Sequence, residues 1–376
     1  MSRSLLRAEL GLVASVITVI LFMALGKGWL ADLSNPVTTG LLFAWLFLIM
    51  LWSSFAVVRH ADCLAVKLGE PYGTLILTLA VISIEVVMIT AVMLTGDNNP
   101  TLGRDMMFSV LMIVLNGLVG LSLLVGGLRH VEQAHNLQGA NAYLGVLVPM
   151  AIIGLVLPNY TVSTPAGYMS TSQAYFAIVA TIALYAAFLG IQTIRHREYF
   201  IAPSGEKVHV DDALGDADHH DHGDLDIRSV PFHAILLVAY MTPIVLLSKN
   251  LAKIIDYGIS VAGAPVALGG FLVAILVLSP EGMAAVQAAM GNKLQRSINI
   301  CLGSGLATIG LTVPAVLIVG MVTGKGVALG LAPVDVALLV TTLAVSMINF
   351  SSSRSNFIQG LVHLVLFFAY VVLIFD

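Results

Sequence analysis

Apolar runs long enough to cross a bilayer recur along almost the whole chain. A spanning helix needs about 20 predominantly apolar residues. Eleven stretches are candidates: 9–26, 39–58, 73–95, 106–127, 142–158, 173–194, 230–248, 267–290, 297–321, 331–350 and 356–375, with 142–158 the shortest. Only 10% of the residues are charged and the mean hydropathy is +0.97, whereas a soluble domain carries roughly 25% charged residues. Lipid must therefore be the main solvent. Most connections are short, so helix follows helix, and an all-α, polytopic membrane protein of about eleven helices is expected. The one long connection, 195–229, is polar and acidic.

The first run lies behind Arg3, Arg7 and Glu9. A signal peptide shares that outline, but no small-residue cleavage site follows and Lys27 closes the run, so an uncleaved first helix is the better reading. Lys and Arg set orientation. Twelve of the 17 fall in one set of alternate loops, including Arg59, Arg129, Arg195, Lys293 and Arg354; five, Lys27, Arg104, Lys249, Lys253 and Lys325, fall in the other. The richer side is expected in the cytoplasm, with the N-terminus and the acidic connection, as in a bacterial inner-membrane protein. A pI near 6.2 without a basic patch argues against nucleic-acid binding. Two cysteines, Cys63 and Cys301, are too few for a disulfide framework or a zinc site.

The third and eighth runs repeat one another. Gly73 and Gly269, Ser83 and Ser279, and Glu85 and Glu281 are each 196 residues apart. In the runs that follow, Asn116-Gly117-Leu118 pairs with Ser304-Gly305-Leu306 at 188 residues, the difference falling in the connection from Gly96 to Arg104. Runs three and eight are five helices apart, an odd number, so they cross in opposite directions. The expected plan is an N-terminal helix (1–37), a five-helix half (38–194), the acidic loop (195–229) and an inverted five-helix half (230–376). Secondary transporters built this way place the site at mid-depth between the halves.

Glu85 and Glu281 are the only acidic residues well inside any run. A carboxylate there costs several kcal/mol unless it meets a cavity or a partner, and neither run offers a Lys or Arg. Two carboxylates sharing a site cannot easily both ionise without a cation. Deprotonated they bind metal; protonated they release it, which is the coupling a cation/proton exchanger requires. Ser83 and Ser279 could add oxygen ligands or bond their own helix backbone. Asn116 and Ser304 could contribute from neighbouring helices or serve interhelical hydrogen bonds. Pro280 frees the carbonyl of Leu276 beside Glu281, and a calcium ion wants six to eight oxygens. His363 is the only histidine well inside a run and reads as packing. Arg354 reads as part of a short loop with no role.

In the connection, Asp211, Asp212, Asp216, Asp218 and Asp221, interleaved with histidines, suggest a cation sensor or antenna. The spacing lacks the glycine and terminal glutamate of an EF-hand loop, and a solvated acidic linker is the plainer reading.

The segments Gly69-Glu70-Pro71-Tyr72-Gly73-Thr74, Ile84-Glu85-Val86, Ser279-Pro280-Glu281-Gly282 and Gln295-Arg296-Ser297-Ile298-Asn299, with Arg59-His60-Ala61-Asp62 and the acidic loop, make the chain resemble the calcium/cation antiporters, and among them the bacterial ChaA-type calcium (sodium, potassium)/proton antiporters. The resemblance implies an extra helix plus two inverted halves, transport glutamates at Glu85 and Glu281, a cytoplasmic acidic loop and no cofactor beyond the transported ions. The wider family often carries Gly-Asn before the repeat glutamate. Here Val81-Ile82 and Val277-Leu278 stand in those places, which leaves sodium or potassium open beside calcium, the leading expectation. A cation channel would need a more continuous polar pore than these runs offer. An intramembrane hydrolase would need a water-activating site, and no intramembrane histidine cluster appears.

Overall fold

The structure, a computed structural model, describes residues 9–68, 72–95, 100–203, 228–261 and 263–376. Among them each of the eleven apolar runs becomes a helix: α1 (Leu10–Trp29), α2 (Pro36–Leu68), α3 (Tyr72–Thr95), α4 (Leu102–His130), α5 (Leu137–Asn159), α6 (Thr171–Arg195), α7 (Val230–Ser260), α8 (Val266–Met290), α9 (Leu294–Thr323), α10 (Pro333–Asn349) and α11 (Phe357–Leu373). Eight of these are long and apolar enough to cross a membrane by length and composition. The chain is a multi-pass helical membrane protein. The five aspartates of the acidic connection and the segment Gly69-Glu70-Pro71 lie outside the described residues.

Two helices overshoot their hydropathy signal. α2 has 33 residues and α7 has 31, about 50 Å and 46 Å at 1.5 Å per residue. The apolar runs end near Arg59 and Lys249, but Ala61, Leu64, Leu251, Ala252, Ile254 and Ile255 beyond those points are buried. Packing, rather than hydropathy, carries both helices past the expected ends.

The chain divides into two compact units, Met1–Asn99 with Asp218–Pro280, and Pro100–Ala217 with Glu281–Asp376. Each unit draws on both halves of the sequence, and the division falls within α8, between Pro280 and Glu281.

In the first unit, α1, α2 and α7 are joined by a polar cluster. Both carboxylate oxygens of Glu9 accept from Arg59 Nη2 at 2.9 Å, and one accepts from Tyr240 Oη at 2.7 Å. His60 Nδ1 and His233 Nδ1 are 3.0 Å apart, and the backbone N–H of Arg228 donates to His233 Nε2 at 2.9 Å. With Nε2 accepting, the His233 proton resides on Nδ1 and is donated to His60. This network ties the end of the acidic connection to the start of α1.

In the second unit lipid solvation inverts the usual burial pattern. α11 buries Gly360, His363 and Tyr370 while Ile358, Leu361, Val365, Phe368 and Val372 are exposed. The small residues permit backbone contact between helices. A side chain at Gly360 would meet the backbone of Gly120 and Leu124, and one at Gly127 would meet that of Phe357. Gly360→Val should therefore push α4 and α11 apart at a cost of about 1–3 kcal/mol, seen as a lower thermal unfolding midpoint in detergent.

The connections of the second unit are laced together. Glu132–Ala134 (β1), after α4, pairs antiparallel with Arg354–Asn356 (β2), before α11, in the register Gln133↔Ser355. Arg354, expected in a plain loop, thus belongs to a strand, and its guanidinium lies 3.4 Å from Glu132. His135 is fully buried, edge-on to Phe350, and burial pulls its ring down to about 4, so it stays neutral. The connections after α5 and α9 meet at an antiparallel bridge, Tyr168↔Ala328.

Candidate functional site

Glu85 is the only charged residue of α3 and is 2% exposed, with Ile84, Met88 and Ile89 buried around it. It belongs to the first unit; Glu281 opens the second unit's share of α8. The serine two residues before each glutamate makes the same bond. Ser83 donates its hydroxyl to the carbonyl of Leu79, and Ser279 donates to that of Ile275, each at 2.5 Å. The proton of each serine is committed four residues back along its own helix, so neither serine donates to its glutamate. Their oxygen lone pairs can still accept or ligate.

Glu281 Oε2 accepts from Ser304 Oγ of α9 at 2.7 Å. The expected partner helix therefore supplies a polar group to the carboxylate. Beside it, α8 approaches α4 closely: a side chain at Gly282 would clash with Leu118. Pro280 sits inside α8; it cannot donate to the Leu276 carbonyl, while Ile275, one residue earlier, carries the extra bond from Ser279.

Asn116 lies in a π-helical stretch of α4, Ile113–Leu118, a kind of insertion often found at functional sites. α9 carries another, Thr308–Thr312, one turn beyond Ser304. Asn116 is fully buried and makes interhelical bonds: Nδ2 donates to Thr342 Oγ1 of α10 at 2.8 Å, and Oδ1 lies 3.2 Å from Nδ1 of His363 of α11. His363, read from sequence as packing, is thus a hydrogen-bonding residue. The signal that could have found Thr342 is the stripe Thr342, Ser346, Asn349 at helical spacing on α10.

A cavity of about 450 Å³ in the first unit, lined by Leu33, Thr39, Phe43, Ile255 and Leu272 among others, has no acidic residue in its wall. Cys63 and Cys301 are both buried and are not joined in a disulfide.

Two carboxylates thus stand on apolar helices, one of them bonded by a hydroxyl from a neighbouring helix. The chain belongs to the sodium/calcium exchanger protein family, which it matches over residues 38–194 and 232–375. It is 44% identical over 326 residues to the sodium-potassium/proton antiporter ChaA of Escherichia coli (strain K12), covering 87% of this chain and 86% of that one. A putative ionic transporter, y4hA of Sinorhizobium fredii, is 38% identical over 320 residues, 85% of this chain and 84% of that one. The fold is that of the Ca2+/H+ antiporter protein YfkE, with a TM-score of 0.68 at 20% identity over 97% of this chain and 99% of that one. It is also that of the H+/Ca2+ exchanger CAX, with a TM-score of 0.61 at 13% identity over 96% and 89%. These relatives are transporters, and this chain is a cation exchanger rather than an enzyme.

Proposed function

We propose that this chain is a secondary active cation/proton antiporter of the bacterial inner membrane, N-terminus in the cytoplasm, that expels sodium or potassium against inward proton flow. The observation that carries it is the carboxylate of Glu281 held by Ser304, set in the same sequence context as the buried Glu85. Each carboxylate holds either a proton or a share of a cation, so loading one ligand unloads the other. The 44% identity to a sodium-potassium/proton antiporter favours monovalent cations, as does the absence of Gly-Asn before either glutamate. Calcium is the second reading. Two carboxylates suit a divalent cation, and relatives at lower identity include a Ca(2+)/H(+) antiporter of Aphanothece halophytica, 25% identical over 252 residues.

The proposal includes the inverted repeat. The family match falls in two segments that follow the proposed halves. The lacing of the second unit has the same symmetry: the connection after α4 pairs with the one before α11, and the connections after α5 and α9 pair with each other. Alternating access then amounts to rocking one half against the other. Asp211, Asp212, Asp216, Asp218 and Asp221 would lie on the cytoplasmic face, as a cation antenna at most.

Everted vesicles holding a proton gradient test this. Sodium, potassium or calcium added outside should release protons from the lumen, with sodium or potassium more effective than calcium at equal concentration. Cation flux that proceeds equally well without any proton movement would mean a channel.

A further inference from the structure

We propose that His363, with Thr342, is a positioning residue that fixes the orientation of the Asn116 amide and so sets the cation affinity of the site. The inference rests on the antiporter reading above, in which Asn116 serves that site.

An asparagine amide presents two nearly isosteric ends, and only the oxygen can ligate a cation. An amide free to turn would offer its NH2 to the cation part of the time. Three contacts at Asn116 choose one orientation. The Nδ2 end lies 2.8 Å from Thr342 Oγ1 and 3.5 Å from the sulfur of Met112. A thioether only accepts, so it requires the NH2 at that end. The Oδ1 end then faces His363 Nδ1 at 3.2 Å, which makes Nδ1 the protonated nitrogen of that ring. His363 occupies one lone pair of the amide oxygen and leaves the second for a cation.

The ring serves nothing else. His363 is fully buried, and its Nε2 has no hydrogen-bond partner among the described residues. An unsatisfied buried nitrogen costs about 1–3 kcal/mol, and a leucine would fill the same space without that cost. The other fully buried residues of α11 are Gly360 and Tyr370. The polar ring is explained by its one bond, to a residue on the helix beside Glu281. Two of the three contacts that fix the side chain come from outside its own helix, from α10 and α11.

The test measures the half-saturating cation concentration and maximal rate of exchange in vesicles. His363→Leu removes the donor. His363→Asn restores an N–H near the position of Nδ1. Thr342→Val removes the partner of the NH2 at constant volume and carries the test if His363→Leu inserts poorly. His363→Leu should raise the half-saturating concentration about tenfold, equivalent to about 1.4 kcal/mol, with the maximal rate little changed. Thr342→Val should shift it in the same direction, and His363→Asn should return it to within about threefold of the parent. Unchanged affinity in both His363→Leu and Thr342→Val, or His363→Asn as impaired as His363→Leu, overturns the positioning role. Glu281→Gln measured alongside separates the two readings. If it still exchanges, the antiporter mechanism fails. If it is inactive while the His363 and Thr342 variants are normal, only the positioning inference fails.

Discussion

Glu281→Gln is expected to abolish exchange while the protein still inserts and keeps its thermal stability. The substitution is almost isosteric, and the glutamine carbonyl can accept the same bond from Ser304 Oγ that the carboxylate accepts at 2.7 Å. What disappears is the exchangeable proton and the negative charge. Glu85→Gln should do the same, since its side chain is 2% exposed and shape is nearly conserved. Initial rates in vesicles should fall by at least about a hundredfold in each, because without the charge a cation in the low-dielectric core loses its principal stabilisation. Normal cation-driven proton flux in either variant would remove the glutamates from the mechanism.

The second large effect is on pH dependence. In the proposed mechanism protons and cation compete for the same carboxylate oxygens, so apparent cation affinity on one side of the membrane should fall as pH falls on that side. The sign follows from linkage: the cation-free state binds more protons, so lowering the pH favours it. Once the carboxylates begin to protonate, each one that must release its proton weakens affinity about tenfold per pH unit, and two acting together approach a hundredfold. The maximal rate at saturating cation should change much less. Half-saturating concentrations across a pH series decide the matter. A flat series with preserved transport would show that proton and cation use separate sites.

The eleven helices were legible because hydropathy alone governs which segments lipid accepts, and even the short run 142–158 became α5. The ends of α2 and α7 were not legible, because beyond Arg59 and Lys249 they are fixed by packing against neighbours. β1 and β2, three residues each, carry no strand pattern; only the pairing of two distant connections creates them. At the site, Glu85 and Glu281 stood out because a membrane interior tolerates so few charges. Ser304 was identified by its offset from Asn116, and it does meet Glu281. The roles of Ser83 and Ser279 were undecidable from sequence, since a hydroxyl can satisfy a backbone carbonyl or a carboxylate from the same position. The contacts of Thr342 and His363 with Asn116 were missed because they depend on α10 and α11 both meeting one residue of α4.

The paired connections of the second unit have a mechanical consequence. β1 with β2 and the Tyr168–Ala328 bridge sit at opposite ends of its helices, one after α4 and the other after α5. A bundle buckled at one end can splay at the other like the blades of scissors; one buckled at both ends cannot. Its helices are confined to small sliding and twisting about their own axes. Such a body transmits torque without storing much of it as bending, and the compliance of a transport cycle is left to segments outside that frame.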